Sequence, residues 1–201
     1  MVDTPRMEVQ EIRPGLWRWT APHPDWHPSL DRPGGWPQMV GCVAYEAPDA
    51  LVLVDPLVAD WGPLDTLVER HARPVAVLTT MRFHRRSRAE VAERYGATLI
   101  SHTEAPPAGV RRIPVVRGDE SMVWIEEPRA LVPGDRLIGT ADGGLRMCPE
   151  SWLRYLPGPP GLDDLREGLR PLLELPVELV LVSHGEPVLR DGAAAIRAAL
   201  G

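Results

Sequence analysis

The chain has 201 residues, a net charge of −6, and charged and hydrophobic fractions of 25% and 44%. That length and balance read as one soluble globular domain, and the acidic excess excludes bulk attraction to nucleic acid or to an anionic membrane. All 22 basic residues are Arg, which excludes a Schiff-base or general-base lysine. Two cysteines, Cys42 and Cys148, are too few for a disulfide scaffold or a Cys-rich zinc site and read as small buried residues. The opening MVDTPRMEVQEIRPG has no long apolar core and no stretch approaches a membrane span, so a cytoplasmic location is expected.

In chain order, GLWRWT (15–20) alternates like a strand, and the Pro- and Gly-rich segment 21–38 reads as loop. MVGCVAYEA and ALVLVDP (39–56) form an expected hairpin around Pro48-Asp49. Leu64, Leu67 and Val68 share one face of an expected helix over 62–72. PVAVLTT (74–80) is a continuous apolar run, the mark of a strand buried on both faces. Ser87 and Glu90 make an expected capping box for a helix over 88–95, which Gly96 ends. Strands are expected at 97–102, 113–116, 121–127 and 130–140, with loop over 141–160. A helix over 161–175 bends at Pro171, a buried strand covers 177–185, and a helix over 191–200 has Asp191 near its start. The alternation of β-rich stretches with βα units predicts an αββα sandwich of two mixed β-sheets with outer helices, as a single domain over 1–201.

Three expected strand ends carry a titratable residue beside a turn: His84, Asp135 in VPGDRL, and His184 in LVSHGEP. Strand C-termini converge on one crevice in α/β proteins, which makes these the candidate site residues. Arg82, Arg85, Arg86 and Arg88 near a helix start would bind a carboxylate or phosphate if they face that crevice, and would be solvated charges otherwise. Trp26 and Trp36 lie in the Pro-rich loop and point to an aromatic mouth, whereas Trp17 and Trp19 read as core. Asp55 either braces the neighbouring loop or merely starts a turn before Pro56. His71 and His102 carry no expected role.

The segments IRPGLWRWT, LVLVDPL, VAVLTTMRFHRRSRAEVAERYGATLIS, ALVPGDRL and LVLVSHGEPVLRDGAAAIRAAL together resemble the metallo-β-lactamase fold superfamily, which includes glyoxalase II-like hydrolases. That family carries L-T-H-x-H-x-D-H after the buried strand, a later G-H-T, a G-D whose Asp bridges two metal ions, and a C-terminal H-G. Counted from Leu78-Thr79, its leading His positions fall on Thr80 and Arg82, its Asp on His84 and its next His on Arg85. Counted back from the helix, His84 takes the third His position. The G-H-T element corresponds to GDES (118–121), with Asp119 in place of His. Arginine beside a metal position repels a cation, so a two-metal centre is not expected.

What the resemblance implies is a divergent member with at most one zinc or iron ion, held by His84, Asp135 and His184. Asp135 and His184 are the implied catalytic pair, and His23 or His27 a further ligand. Arg82, Arg85 and Trp26 are the expected substrate-binding residues. The implied reaction is hydrolysis of an ester, thioester or lactone of a small anionic substrate. The alternatives are a metal-free, non-catalytic member that binds a small anion or acts in regulation, and an interaction protein that uses the Trp-rich loop.

Overall fold

The structure, a computed structural model, describes residues 7–115, 120–156 and 158–201. Strands β1 (Gln10–Arg13), β2 (Leu16–Pro22), β3 (Met39–Glu46), β4 (Leu51–Val54), β5 (Val75–Leu78) and β6 (Thr98–Ile100) form one sheet in that order. The first four run antiparallel. β4, β5 and β6 run parallel, joined by helices α1 (Trp61–His71) and α2 (Arg88–Tyr95). Next come β7 (Val110–Pro114), β8 (Ser121–Ile125), β9 (Ala130–Val132), β10 (Leu137–Gly139), β11 (Leu145–Met147), helices α3 (Glu150–Leu153) and α4 (Leu162–Leu169), β12 (Leu179–Val180) and α5 (Gly192–Leu200). The second sheet has the order β12-β9-β8-β7, and β10 and β11 pair as a separate hairpin.

The period of two along each strand distributes the core. Val52, Val54, Ala76 and Leu78 face Val123, Ile125 and Val132 of the second sheet. Their neighbours Leu51, Leu53, Val75 and Val77 turn the other way, against Leu64 and Leu67 of α1 and Val91 of α2. On the far side, Trp124, Leu131 and Val180 pack against Leu165 of α4 and Ile196 of α5. The result is the expected αββα sandwich. Trp17 and Trp19 lie in its outer core, 4% and 2% exposed, and Cys42 and Cys148 are buried free thiols. Among the described residues no helix is long and apolar enough to cross a membrane.

Four local expectations are corrected. The stretch 130–140 is not one strand: Pro133 and Gly134, the latter at φ 58°, break it into β9 and β10 and leave Asp135 in the turn. The expected loop 141–160 contains β11 and α3. The strand expected over 177–185 is regular only at Leu179–Val180, although Leu181 continues the ladder by donating to the Leu131 carbonyl (2.8 Å). Ser87 makes no capping bond. Its backbone is not extended (φ −84°, ψ 19°), and its Oγ instead accepts from the Val58 N–H (3.1 Å). That bond ties the loop after β4 to the start of α2. The 161–175 helix does change at the expected place, becoming a 3-10 turn from Arg170 onward.

Where β10 passes the end of the β12 segment, two backbones touch. Gly139 N–H donates to the His184 carbonyl (2.9 Å), and a Cβ on Gly139 would stand 1.9 Å from the Glu186 carbonyl oxygen. Gly185, at φ 84°, lies against Gly139 from the other side. Gly139→Ala must therefore push the His184 turn aside. We expect that variant to lower Tm and to weaken metal uptake in the same protein, read by calorimetry and by zinc titration; unchanged uptake would show that the crossing does not position His184.

Candidate metal centre

The parallel pairing of β4 and β5 sets their C-terminal ends side by side, and Asp55 N–H continues the ladder to the Leu78 carbonyl (3.0 Å). Asp55 is 1% exposed and sits at φ 50°, in a region unusual for a non-glycine residue. Its carboxylate accepts three bonds: from Thr80 N–H (2.8 Å), from Thr80 Oγ1 (2.5 Å) and from His84 Nδ1 (2.8 Å). His84 closes a 3-10 turn over Arg82–His84 and is 4% exposed. With Nδ1 committed to Asp55, the ring presents Nε2 to the opposite side. This is the carboxylate–imidazole arrangement that fixes the tautomer and aim of metal-binding histidines.

Nε2 of His84 meets Asp135 Oδ1 at 3.0 Å, and Nε2 of His184 approaches the same oxygen at 3.3 Å. Asp135 comes from the turn between β9 and β10. Behind it Arg136, 2% exposed, makes a two-pronged pair with Glu120 (Nε to Oε2 2.7 Å, Nη2 to Oε1 2.6 Å), which holds the turn rigid. His184 comes from the end of the β12 segment. Trp36 lies tilted against its ring and Trp152 meets it edge to face, at centroid distances of 5.7 and 5.4 Å.

The ligand atoms of His84, Asp135 and His184 all lie within 4.8 Å of one another. Although Asp135 Oδ1 is buried and close to two ring nitrogens, it has no hydrogen-bond partner of acceptable geometry. Two atoms bound about 2.0–2.1 Å from one tetrahedral zinc stand roughly 3.3 Å apart, close to the two spacings from Asp135 Oδ1, 3.0 and 3.3 Å. Two imidazoles and one carboxylate also suit zinc or iron by ligand type. The residues fit a metal ion.

Charge is strongly organised here. Burial disfavours the His84 imidazolium, but Asp135 and then Asp55 outweigh burial and the opposing Arg86, pushing its pKa up to about 9. Burial likewise opposes ionisation of Asp135, and the His84 and His184 rings hold its carboxyl well below the usual range. Asp55 is lowered too, with His84, Arg86 and Thr80 overcoming its burial. In protein stripped of metal, the His84 contribution is complete below its unfolded pKa of 6.5 and is lost as pH rises toward 9. The Asp135 and Asp55 contributions are complete above 3.8 and are lost on acidification. Thermal melts of chelator-treated protein should therefore be highest near pH 5–6 and fall by up to ~3 kcal/mol between pH 6.5 and 9; a flat profile across that window would contradict the network.

A cavity of about 350 Å3 opens over the three residues. His23, Trp36, Phe83, Arg86 and Trp152 are among its lining side chains. Arg82, Arg85 and Trp26 are not. In the 3-10 turn, residues three apart eclipse one another; Arg82 and Arg85 share the outer face, both exposed, while His84 turns inward. Arg82 donates to the Tyr155 carbonyl (2.7 Å), and Trp26 Nε1 donates to the Trp36 carbonyl (3.0 Å). Of the arginines in this turn, the one that reaches the cavity is Arg86. A left-handed backbone at φ 38° directs it inward, where Nη1 bonds the carbonyls of Asp55 (2.9 Å) and Gly41 (3.0 Å). His23 lines the cavity but lies outside the three-residue group, its Nδ1 accepting from Asp25 N–H (3.2 Å). His27 is exposed and caps the turn at 28–30. Asp119 lies outside the described residues.

The αββα sandwich is the architecture of the metallo-β-lactamases, and the chain has that fold. VMB-1 matches with a TM-score of 0.60 at 10% identity, over 98% of this chain and 100% of that one. DIM-1 metallo-β-lactamase matches with a TM-score of 0.61 at 12% identity, over 97% and 99%. An NDM/FIM-1-like metallo-β-lactamase from Erythrobacter litoralis, in a mono-zinc form, matches at 0.58 and 14%, over 100% and 97%. No family model matches the sequence, and no curated protein does. At such identities the likeness establishes the fold, and the reaction has to be argued from the site.

Proposed function

We propose that the protein is a one-metal hydrolase acting on an ester, thioester or lactone of a small anionic substrate. The observation that carries this reading is the convergence of His84, Asp135 and His184, with Asp135 Oδ1 between two imidazole Nε2 atoms at 3.0 and 3.3 Å. His84, Asp135 and His184 would hold one zinc or iron ion, which supplies a Lewis acid and lowers the pKa of water. Asp55 keeps the His84 lone pair on the metal side by occupying Nδ1. Trp36 and Trp152 limit water around His184 and leave the cavity as the way in. Arg86 sets a fixed positive charge beside the site, suited to a substrate oxygen that carries or gains negative charge. It also makes a second cation nearby unfavourable, consistent with one ion instead of two.

A metal-free binding protein is the competing reading, and one observation favours it: His84 already bridges two aspartates as an internal cation. The two readings separate in one experiment. Tag-free protein is stripped with chelator, reloaded with zinc or iron, and assayed on carboxylate-bearing esters, thioesters and lactones. The hydrolase reading expects turnover that is lost on stripping and restored by the ion. Failure to take up either ion, together with no turnover on any substrate, would overturn it.

A further inference from the structure

The walls and floor of the cavity differ in kind, and the difference specifies a ligand. Five large apolar side chains stand exposed among the described residues, and two of them, Phe83 and Tyr155, flank this cavity, each 51% exposed. Phe83 is the only phenylalanine in the chain. A residue type that the core normally takes is thus spent on the mouth of the site. The two rings meet edge to face, 6.2 Å between centroids at 74°, and Trp36 and Trp152 continue the aromatic lining inward to His184.

The floor is cationic. Arg86 uses Nη1 for two backbone carbonyls. Its Nε is buried without a partner, and it makes no ion pair with any carboxylate among the described residues. Arg86 lines the cavity, and no bond from its Nη2 to another described residue is seen. A guanidinium fixed through Nη1 and paired with no carboxylate keeps its charge for an anion in the cavity. Arg154, over the Tyr155 ring at 4.7 Å, and Arg32 add positive charge at the lining, against Asp25 and Asp135.

We propose that the cavity binds a small, flat aromatic carboxylate, with its ring between the Phe83–Tyr155 pair and the Trp152 wall and its carboxylate on Arg86. The volume, about 350 Å3, lies at the small end of ligand pockets and suits a one- or two-ring acid. The assignment of substrate rests on the hydrolase reading: the substrate is then an ester or thioester that also carries such an aromatic carboxylate. Water supplies a hydroxyl to the acyl carbon, the C–O or C–S bond breaks, and the alcohol or thiol leaves with the remaining hydrogen. Arg86 holds the aromatic carboxylate, which takes no part in the bond exchange.

The test is calorimetric titration of the full chain after chelator dialysis, so that no ion can bind the ligand in place of Arg86. The probes are 2-naphthoate, 2-naphthamide and cyclohexanecarboxylate. Expected is one saturable 2-naphthoate site per chain, with the neutral amide and the non-aromatic acid at least tenfold weaker. Arg86→Gln should weaken 2-naphthoate at least tenfold and leave 2-naphthamide unchanged. Phe83→Ser, on the exposed rim, should weaken both aromatic ligands about threefold, and it keeps the proposal testable if Arg86→Gln does not fold. Equal binding of naphthoate and naphthamide, or undiminished naphthoate binding to a folded Arg86→Gln, would overturn the proposal. Naphthoate binding in a protein that takes up no metal removes the hydrolase reading alone; zinc uptake without naphthoate binding removes this inference alone.

Discussion

Asp135→Asn is expected to lose zinc while the chain stays folded. The carboxylate oxygen is the shared point of the group, 3.0 Å from His84 Nε2 and 3.3 Å from His184 Nε2. An amide in its place is neutral, and its oxygen is a far weaker ligand for a dication. Loss of an outer partner of a metal ligand costs 10–100-fold in affinity, so loss of this direct ligand should exceed about 100-fold. Folding survives for a reason that the site itself provides. His84 is charged in the metal-free state because Asp135 and Asp55 stabilise it, and without Asp135 the ring can release its proton. From a pKa of about 9, that release costs no more than ~3 kcal/mol at neutral pH. Competition with a chromophoric chelator, alongside circular dichroism, reads both parts. Near-native zinc affinity in a folded Asp135→Asn would mean that the ion, if one binds, sits elsewhere.

Asp55→Ala should be the more damaging change to stability. Three donors converge on this buried carboxylate: the Thr80 N–H, the Thr80 hydroxyl and His84 Nδ1. Truncation leaves the Thr80 N–H without an acceptor, and one of the other two donors as well, since the Thr80 hydroxyl and His84 Nδ1 lie 3.0 Å apart and can bond each other; the cost is about 1–3 kcal/mol for each donor that water cannot reach. A total of about 3–5 kcal/mol is expected, in line with removal of one partner from a buried ion pair. For a chain of this size that lowers Tm by roughly 10 °C. His84 also loses the bond that aims Nε2, so zinc affinity should fall 10–100-fold even where the variant remains folded. Differential scanning calorimetry with a parallel zinc titration measures the two effects. A melt within about 2 °C of the parent would show that Asp55 is only a turn former.

Most of the layer order was legible because it rests on periodicity. The runs at 51–54 and 75–78 are apolar at every position, and the structure buries both faces of each. His84, Asp135 and His184 were legible as strand-end residues, and the fold does bring them together. What escaped the sequence depends on local geometry that composition does not encode. Arg82, Arg85 and Arg86 are chemically alike, but the 3-10 turn and the left-handed residue 86 send one inward and leave two outside. Asp55 had two equally good readings until the parallel pairing of β4 and β5 set it beside Thr80. Trp152 lies in a stretch read as loop, and its contact with His184 spans more than thirty residues of chain. Ser87 and Glu90 match the capping-box pattern, but a preceding turn deprives Ser87 of the extended backbone that the motif needs.

The central claim is that one ion binds between His84, Asp135 and His184. X-ray absorption at the zinc edge tests it most directly, on tag-free protein loaded with one equivalent and on His184→Ala. The claim predicts a shell of nitrogen and oxygen donors that includes two imidazoles in the parent and one fewer in the variant. Sulfur scattering at about 2.3 Å, or an identical spectrum from His184→Ala, would contradict it.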